Sequence, residues 1–96
     1  MLLAIDVGNT NIKYGVFEKD RLAASFRVAS HLKKTADEYG AVLTNLLSTS
    51  GIRAAEIDGV ILSSVIPSLN YTICHMCEYF FRMKPVVVGP GVKTGL

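Results

Sequence analysis

The sequence lacks long hydrophobic runs and clusters of one charge, and both absences restrict its function. No apolar stretch reaches the roughly 18 residues that a membrane-spanning helix needs. The opening run Met1–Ile5 has no basic region before it and no small-residue cleavage site, which excludes a signal peptide. The 10 Lys and Arg residues are scattered, with a formal net charge of +2, so there is no footprint for nucleic acid. We therefore expect a cytoplasmic protein with no nucleic-acid or membrane partner.

Cysteine is also scarce, since Cys74 and Cys77 are the only two and form a single C-x-x-C. A tetrahedral zinc site would need a second pair. A redox motif normally opens a helix, whereas this pair falls inside an apolar helical pattern. Structural burial is therefore the favoured interpretation, because a free cysteine behaves as a small hydrophobe. His75 lies off the apolar positions and is expected to be exposed rather than a ligand.

What the chain does contain is enough apolar residues for one packed domain. Half of its 96 residues are hydrophobic and 19% are charged, as in globular proteins. The first 29 residues contain one apolar run and two stretches that alternate apolar and polar side chains, which predicts three strands. The first strand is the run Met1–Ile5, and the alternating apolar positions of the next two are Ile12, Tyr14, Val16, Leu22, Ala24, Phe26 and Val28.

Two helices are predicted in the remainder. Thr35 and Glu38 have the spacing of a capping box, and Gly51 is placed to end the first helix. The second helix begins near Pro67 or Ser68. The apolar faces comprise Tyr39, Val42, Leu43, Leu46 and Leu47 in the first helix and Leu69, Ile73, Met76, Cys77, Phe80 and Phe81 in the second.

Apolar runs at Gly59–Leu62 and Pro85–Val88 predict two further strands, the first of them buried and parallel. The predicted order is β-β-β-α-β-α-β, an α/β fold with a mixed sheet. Ser63 and Ser64 follow the fourth strand, where ligands gather in open α/β sheets. Either serine could line a cleft, but serines also end strands and cap helices, and the structural interpretation is favoured.

The segment that connects the first two strands has the composition of a phosphate site. Gly8 can adopt positive φ and has no Cβ to keep a ligand away. The N–H groups after it could turn towards an anion as a backbone nest. The residues of this segment are Asp6, Val7, Gly8, Asn9, Thr10, Asn11, Ile12 and Lys13.

Three side chains in the segment strengthen this hypothesis. Thr10 adds a hydroxyl, and Lys13 supplies a point charge for a phosphate oxygen. Asp6 would repel a phosphate unless Mg²⁺ lies between them, which suits Mg²⁺ because it binds through one or two carboxylates plus substrate phosphates. An ordinary hairpin turn is the alternative, since Gly and Asn are common turn residues. The separate features alone leave the two interpretations even.

The whole string D-x-G-N-T-x-x-K resembles the first phosphate motif of the actin-like ATPase and sugar-kinase superfamily. The opening MLLAIDVGNTNIKYGVF and the late G-P-G-x-K-T-G resemble the type III pantothenate kinases in particular. The late segment fits neither the Walker form, because Val92 separates Gly91 from Lys93, nor G-x-G-x-x-G, because position 94 is Thr. The resemblance implies that residues 1–96 form an N-terminal, ribonuclease-H-like nucleotide-binding domain.

The resemblance also implies an activity. Type III pantothenate kinases transfer the γ-phosphate of ATP to pantothenate, the first step towards coenzyme A. They require Mg²⁺ and a monovalent cation, K⁺ or NH₄⁺, and are typically homodimers. By this mapping Asp6 holds Mg²⁺ through water and the segment Asp6–Lys13 holds the ATP phosphates. The expected pantothenate-binding residues are Gly89, Gly91, Lys93 and Thr94.

The family's catalytic base lies in a G-A-D-R motif for which this sequence has no counterpart before Leu96. None of the acids present is a convincing replacement, so no catalytic residue is predicted. The expectation is an N-terminal fragment that is inactive alone and lacks the C-terminal domain. Two alternatives stay open: another small-molecule kinase of the actin-like superfamily, and a non-catalytic regulator that binds nucleotide.

Overall fold

The first 29 residues fold into three antiparallel strands, as the sequence predicts. A computed structural model describes residues 1–89. Its elements are β1 (Leu2–Val7), β2 (Asn11–Glu18), β3 (Arg21–Ala29), α1 (Ala36–Thr49), a short 3₁₀ helix (Ala54–Glu56), β4 (Gly59–Ser64), α2 (Pro67–Phe81) and β5 (Val86–Val88). The predicted element order is confirmed, and the 3₁₀ helix is an addition that the pattern did not indicate.

The five strands form one mixed sheet in the order β3-β2-β1-β4-β5. β2 pairs antiparallel with both β1 and β3, whereas β4 pairs parallel with both β1 and β5. A parallel connection needs a crossover, and α1 and α2 supply the two that the sheet requires. The carboxyl ends of β1, β4 and β5 therefore meet at one edge.

The core lies between one face of the sheet and the two helices. Side chains of β1, β2 and β4 alternate between this face and the opposite one, because successive residues of a strand point to opposite sides. Each large apolar side chain that is fully buried contributes roughly 1.5–3 kcal/mol to folding. The largest such side chains are Leu3, Ile5, Val7, Ile12, Tyr14, Val16, Leu43, Leu47, Leu62, Leu69, Ile73 and Met76.

Helix α1 begins and ends as predicted. The Glu38 N–H donates to the Thr35 hydroxyl at 3.2 Å, and the Thr35 N–H donates to the Glu38 carboxylate at 3.1 Å. Gly51 ends the helix with φ of 73°, a left-handed conformation that glycine adopts without strain. One predicted core position is wrong, since Val42 is 41% exposed at the edge of the apolar face.

The C-x-x-C lies well inside helix α2, where the sequence predicts it. Cys77 is fully buried and Cys74 is half-buried, and both are free thiols. His75 is exposed, and its ring stacks between those of Tyr71 and Tyr79 at centroid distances of 6.0 and 6.4 Å. Within residues 1–89, no helix has both the length and the apolar character needed to cross a membrane.

The two helices approach closely at Gly40, and we expect replacement of that glycine to lower the stability of the fold. A Cβ at Gly40 in α1 would overlap the ring of Phe80 in α2. Gly40→Ala should therefore lower the free energy of unfolding by roughly 1–3 kcal/mol through overpacking. The loss should outweigh the gain of about 1 kcal/mol in helix propensity. Urea denaturation measures the change.

The matched control repeats this substitution in a Phe80→Ala background. With the ring removed, Gly40→Ala should be neutral or stabilising, because only the helix-propensity gain remains. An equal loss of stability in both backgrounds would show that the close packing against Phe80 is not the cause.

We also expect Cys77 to be chemically inert in the folded chain. Burial raises the pKa of the Cys77 thiol to about 12, and nearby Cys74 and Glu78 add to the shift. Since the thiolate is the reactive form, alkylation by iodoacetamide at about pH 8 should be on the order of 100-fold slower in native than in urea-unfolded protein. The measurement uses a Cys74→Ser variant, so that Cys77 alone reports. Equal rates in both states would reopen a reactive role for the pair.

Candidate phosphate-binding site

The connection between β1 and β2 leaves only Gly8, Asn9 and Thr10 outside the strands. The Gly8 N–H donates to the Asn11 carbonyl oxygen at 2.8 Å, which closes the connection. A Cβ on Gly8 would lie 3.1 Å from that same oxygen, so a larger residue would crowd the bond. Gly8 does not have positive φ, so the connection does not use the conformational freedom of this glycine. Glycine is needed for the close approach to Asn11.

This connection differs from an ordinary two-residue hairpin in two ways. The common type I′ and II′ turns need positive φ at one or both central residues, and neither Asn9 nor Thr10 has it. An ordinary hairpin also returns a bond from the Asn11 N–H to the Gly8 carbonyl oxygen. No such bond forms within the described part of the chain. The geometry thus departs from the simple turn that the sequence left open.

Ser30, just after β3, bonds to two carbonyl groups of the connection, and one of them is the Gly8 carbonyl that such a turn would use. Its hydroxyl donates to the Gly8 carbonyl oxygen at 2.9 Å, and its N–H donates to the Thr10 carbonyl oxygen at 2.9 Å. Across residues 1–89, the N–H groups of Asn9 and Thr10 have no backbone acceptor. These donors are available to an anion, as in a backbone nest.

Three charged side chains form a row beside the connection. Asp6 of β1 is directly opposite Lys13 of β2, and Lys13 is directly opposite Arg27 of β3. Residues so paired share one face of the sheet, with Cβ atoms about 5 Å apart. All three residues are exposed. In the described range, no ion pair within 4.0 Å joins any of them to a partner.

The row and the connection line one open concavity of about 250 Å³. Two cations and one carboxylate leave it with a positive charge balance, which favours a phosphate group. Its volume is below the roughly 300–1,000 Å³ of pockets that enclose whole ligands. It therefore suits phosphate groups rather than an entire nucleotide. The lining residues are Asp6, Gly8, Thr10, Asn11, Lys13 and Arg27.

Asp6 fits the demands of a Mg²⁺ ion that is shared with a phosphate. Mg²⁺ usually binds one or two carboxylates and takes its other ligands from water and substrate phosphates. In residues 1–89 no three His, Cys, Asp or Glu side chains converge on a common point. Asp6 is a single exposed carboxylate beside a phosphate-sized concavity. It can therefore supply the one protein ligand that an ion shared with a phosphate needs.

The remaining residues of the predicted segment have other positions. Val7 and Ile12 are fully buried in the core, so only their backbone groups can reach a ligand. Asn9 is exposed at the tip. The Asn11 side-chain amide donates to the Thr10 hydroxyl at 3.2 Å, which orients the hydroxyl that was expected to contact phosphate.

The two serines after β4 have different surroundings. Ser64 is buried, and its hydroxyl donates to the Ile66 carbonyl oxygen at 3.1 Å and accepts from the Ile66 N–H at 3.0 Å. Those bonds give Ser64 the structural role that was favoured. Ser63 is directly opposite Asp6 in the parallel pairing and shares its face of the sheet.

Gly89 is exposed and directly follows β5, whose Val88 is opposite Ser63. It therefore lies at the same sheet edge as Asp6, two strands away. The other predicted pantothenate-binding residues, Gly91, Lys93 and Thr94, lie outside the described residues.

Sequence reasoning missed Arg27 and Ser30. Arg27 occupies a polar position of an alternating strand, which is where any solvated arginine would be. Its role in the row depends on the register between β2 and β3, and that register includes a bulge between Val16 and Phe17. Ser30 had no signal beyond being a polar residue after a strand.

Comparison with known proteins agrees with this geometry. A model of the type III pantothenate kinase family matches residues 2–96. A type III pantothenate kinase from Bacillus cytotoxicus is 46% identical over all 96 residues. The chain spans 37% of the length of that relative.

Solved structures with a similar fold are sugar kinases. A ROK hexokinase from Thermus thermophilus superposes with a TM-score of 0.68 at 16% identity, over 92% of this chain and 34% of the hexokinase. A protein described as an N-acetylglucosamine kinase from Porphyromonas gingivalis gives 0.64 at 15% identity, over 93% and 33% of the two chains. At such low identity these likenesses show the fold alone. They confirm the predicted α/β, ribonuclease-H-like half-domain.

The family model spans nearly every residue, and the Asp6–Lys13 segment that carries the resemblance lines the charged concavity. The chain belongs to the type III pantothenate kinase family.

Proposed function

We propose that residues 1–96 form the N-terminal nucleotide-binding domain of an enzyme that phosphorylates pantothenate with ATP. The observation that carries the proposal is the row of Asp6, Lys13 and Arg27 beside unpaired backbone N–H groups. Phosphoryl transfer depends on positioning and on stabilising charge, and these groups are suited to both. Family membership supports pantothenate as the acceptor and coenzyme A synthesis as the purpose.

Each group has a distinct task in this proposal. Lys13 and Arg27 bind phosphate oxygens of ATP and offset their negative charge, while the N–H groups of Asn9 and Thr10 orient the same phosphates. Asp6 would hold a Mg²⁺ ion through the water bound to that ion. When bound, Mg²⁺ neutralises charge that develops on the transferring phosphoryl group. The acceptor hydroxyl approaches along the edge where Gly89 lies.

The catalytic base is not among the residues that line the concavity. Asp6 is the only carboxylate there within residues 1–89, and it is better placed to hold a metal than to accept a proton. The proposed enzyme is therefore the longer protein, and this chain alone binds phosphate without turnover. K⁺ or NH₄⁺ as a second cation, a homodimeric assembly and a cytoplasmic location belong to the same proposal and rest on the family resemblance.

The proposed activity is tested by an ADP-release assay with pantothenate, Mg-ATP and K⁺. We expect turnover in the longer protein that contains this chain and none in the 96-residue chain. Asp6→Asn should lower turnover on the order of 100-fold, because the carboxylate that would hold Mg²⁺ beside the phosphates is lost.

Asp20→Asn is the matched control. It neutralises an exposed carboxylate at the turn between β2 and β3. That turn lies at the opposite end of β2 from the connection that follows Asp6, so turnover should be unchanged. Equal activity in Asp6→Asn and Asp20→Asn would contradict the role of Asp6. Nucleotide binding without any turnover in the longer protein would favour the regulator instead.

Arg27 provides a separate test of phosphate binding. Arg27→Gln should weaken Mg-ATP binding about tenfold or more, because a charge-assisted bond to phosphate is lost. Calorimetric titration measures the dissociation constant. Arg21→Gln is the control, since Arg21 lies at the other end of β3 and pairs with Glu18 at 2.9 Å. Binding that is equally sensitive to both substitutions would show that only overall charge matters.

A further inference from the structure

Ser30 touches the backbone of the phosphate-binding connection without lining its concavity. It follows β3 directly and is half-buried. Its two bonds reach the carbonyl oxygens of Gly8 and Thr10, each at 2.9 Å. One serine thus holds two of the peptide groups that make up a connection of three residues.

Holding a carbonyl oxygen also sets the direction of the N–H that shares its peptide plane. A trans peptide is planar, and its C=O and N–H point in opposite directions. The described chain contains no cis peptide. The bond to the Gly8 oxygen therefore turns the Asn9 N–H away from Ser30, and the bond to the Thr10 oxygen does the same for the Asn11 N–H.

The Ser30 hydroxyl also bonds to the oxygen that would otherwise accept from one of those N–H groups. In a closed hairpin the Asn11 N–H would donate to the Gly8 carbonyl oxygen, opposite the bond from the Gly8 N–H to the Asn11 oxygen. In the described chain the Gly8 oxygen accepts from the Ser30 hydroxyl at 2.9 Å, and no bond from the Asn11 N–H reaches it. The Asn11 N–H consequently stays available, and the connection keeps an open shape that an ordinary turn would lack.

Ser30 is itself held in place by the core. The next residue, His31, donates its N–H to the Tyr39 hydroxyl at 2.8 Å, and that hydroxyl donates to the His31 carbonyl oxygen at 2.7 Å. Tyr39 belongs to α1 and is 2% exposed. The backbone next to Ser30 is therefore anchored to the packed helix, which limits how far Ser30 can move relative to the connection.

From this geometry we propose that Ser30 is a positioning residue of the phosphate site. Its hydroxyl keeps the Gly8–Asn11 connection open, so that the N–H groups of Asn9 and Asn11 face the phosphates. The proposal rests on the proposed function for its ligand, ATP. Its structural part, the choice between an open and a closed connection, can be measured without nucleotide.

The test compares Ser30→Ala, Ser30→Thr and Ser25→Ala in the longest protein that contains this chain. Ser30→Ala removes the hydroxyl bond and keeps the backbone bond, and it should weaken Mg-ATP binding about fivefold, the effect of one neutral hydrogen bond. Ser30→Thr retains a hydroxyl and should restore binding. Ser25→Ala makes the same change at an exposed position of β3 and should have no effect.

Amide hydrogen exchange in the nucleotide-free protein separates positioning from a general structural role. If Ser30→Ala lets the connection close, the Asn11 N–H gains an acceptor and its exchange slows. A mere loss of local stability would make that exchange faster. Slower exchange at Asn11 together with weaker binding supports the proposal.

Several results would overturn it. These are unchanged binding in Ser30→Ala, failure of Ser30→Thr to restore binding, and faster or unchanged exchange at Asn11. If the wild-type protein does not bind Mg-ATP, the proposed function fails, and the exchange measurement still decides whether Ser30 holds the connection open. If Ser30→Ala does not fold, the wild type decides: shifts of the Asn9 and Asn11 amide resonances on Mg-ATP addition support the proposal, and their absence contradicts it.

Discussion

The antiparallel pairing of β2 with β1 and β3 is the constraint on which both the core and the site depend. Side chains alternate along β2, so Ile12, Tyr14 and Val16 face the helices while Lys13 faces the concavity. A slip of one residue would move the whole set to the wrong face, burying a lysine and exposing three core side chains. The bond from the Gly8 N–H to the Asn11 oxygen is the first bond of the β1–β2 pairing, and it lies beside the concavity. The core and the charged concavity therefore depend on the same strand pairing.

The charged row is unfavourable for the protein without a ligand, and this is a physical sign of function. Lys13 and Arg27 are directly opposite each other, and like charges at such positions destabilise a sheet. A stability-optimised hairpin would place a carboxylate at one of them. The described structure gives neither cation an ion-pair partner, although Asp6 lies directly opposite Lys13. A bound phosphate would relieve the repulsion, so the same arrangement that weakens the sheet favours an anion.

Local signals in the sequence were sufficient to predict the helices and strands but not every residue of the candidate site. The capping box at Thr35, the end of α1 at Gly51 and the burial of Cys77 each depend on nearby residues or on helical periodicity, and all three were predicted. Val42 failed because periodicity alone does not say how wide the buried stripe is. Arg27 and Ser30 were missed because their roles depend on contacts with residues 14 to 22 positions earlier in the chain. The crowding of Gly8 against Asn11 was likewise not predictable, since it appears only once the strands pair.

A kinase must both bind phosphates and accept the proton of its substrate, and under the proposed function the described residues would supply only the first of these. The concavity and its supports lie within Asp6–Ser30, in one meander of three strands whose pairing is local in sequence. Phosphate affinity can therefore be encoded in the first third of this chain. Acceptance of the substrate proton needs a second carboxylate, and within residues 1–89 the concavity holds only Asp6. A base supplied by another segment would reach the phosphate only when that segment is docked at the strand ends. Under the proposed function, phosphate binding would be separable from catalysis, because the groups that would hold the phosphates lie in the meander and the base does not.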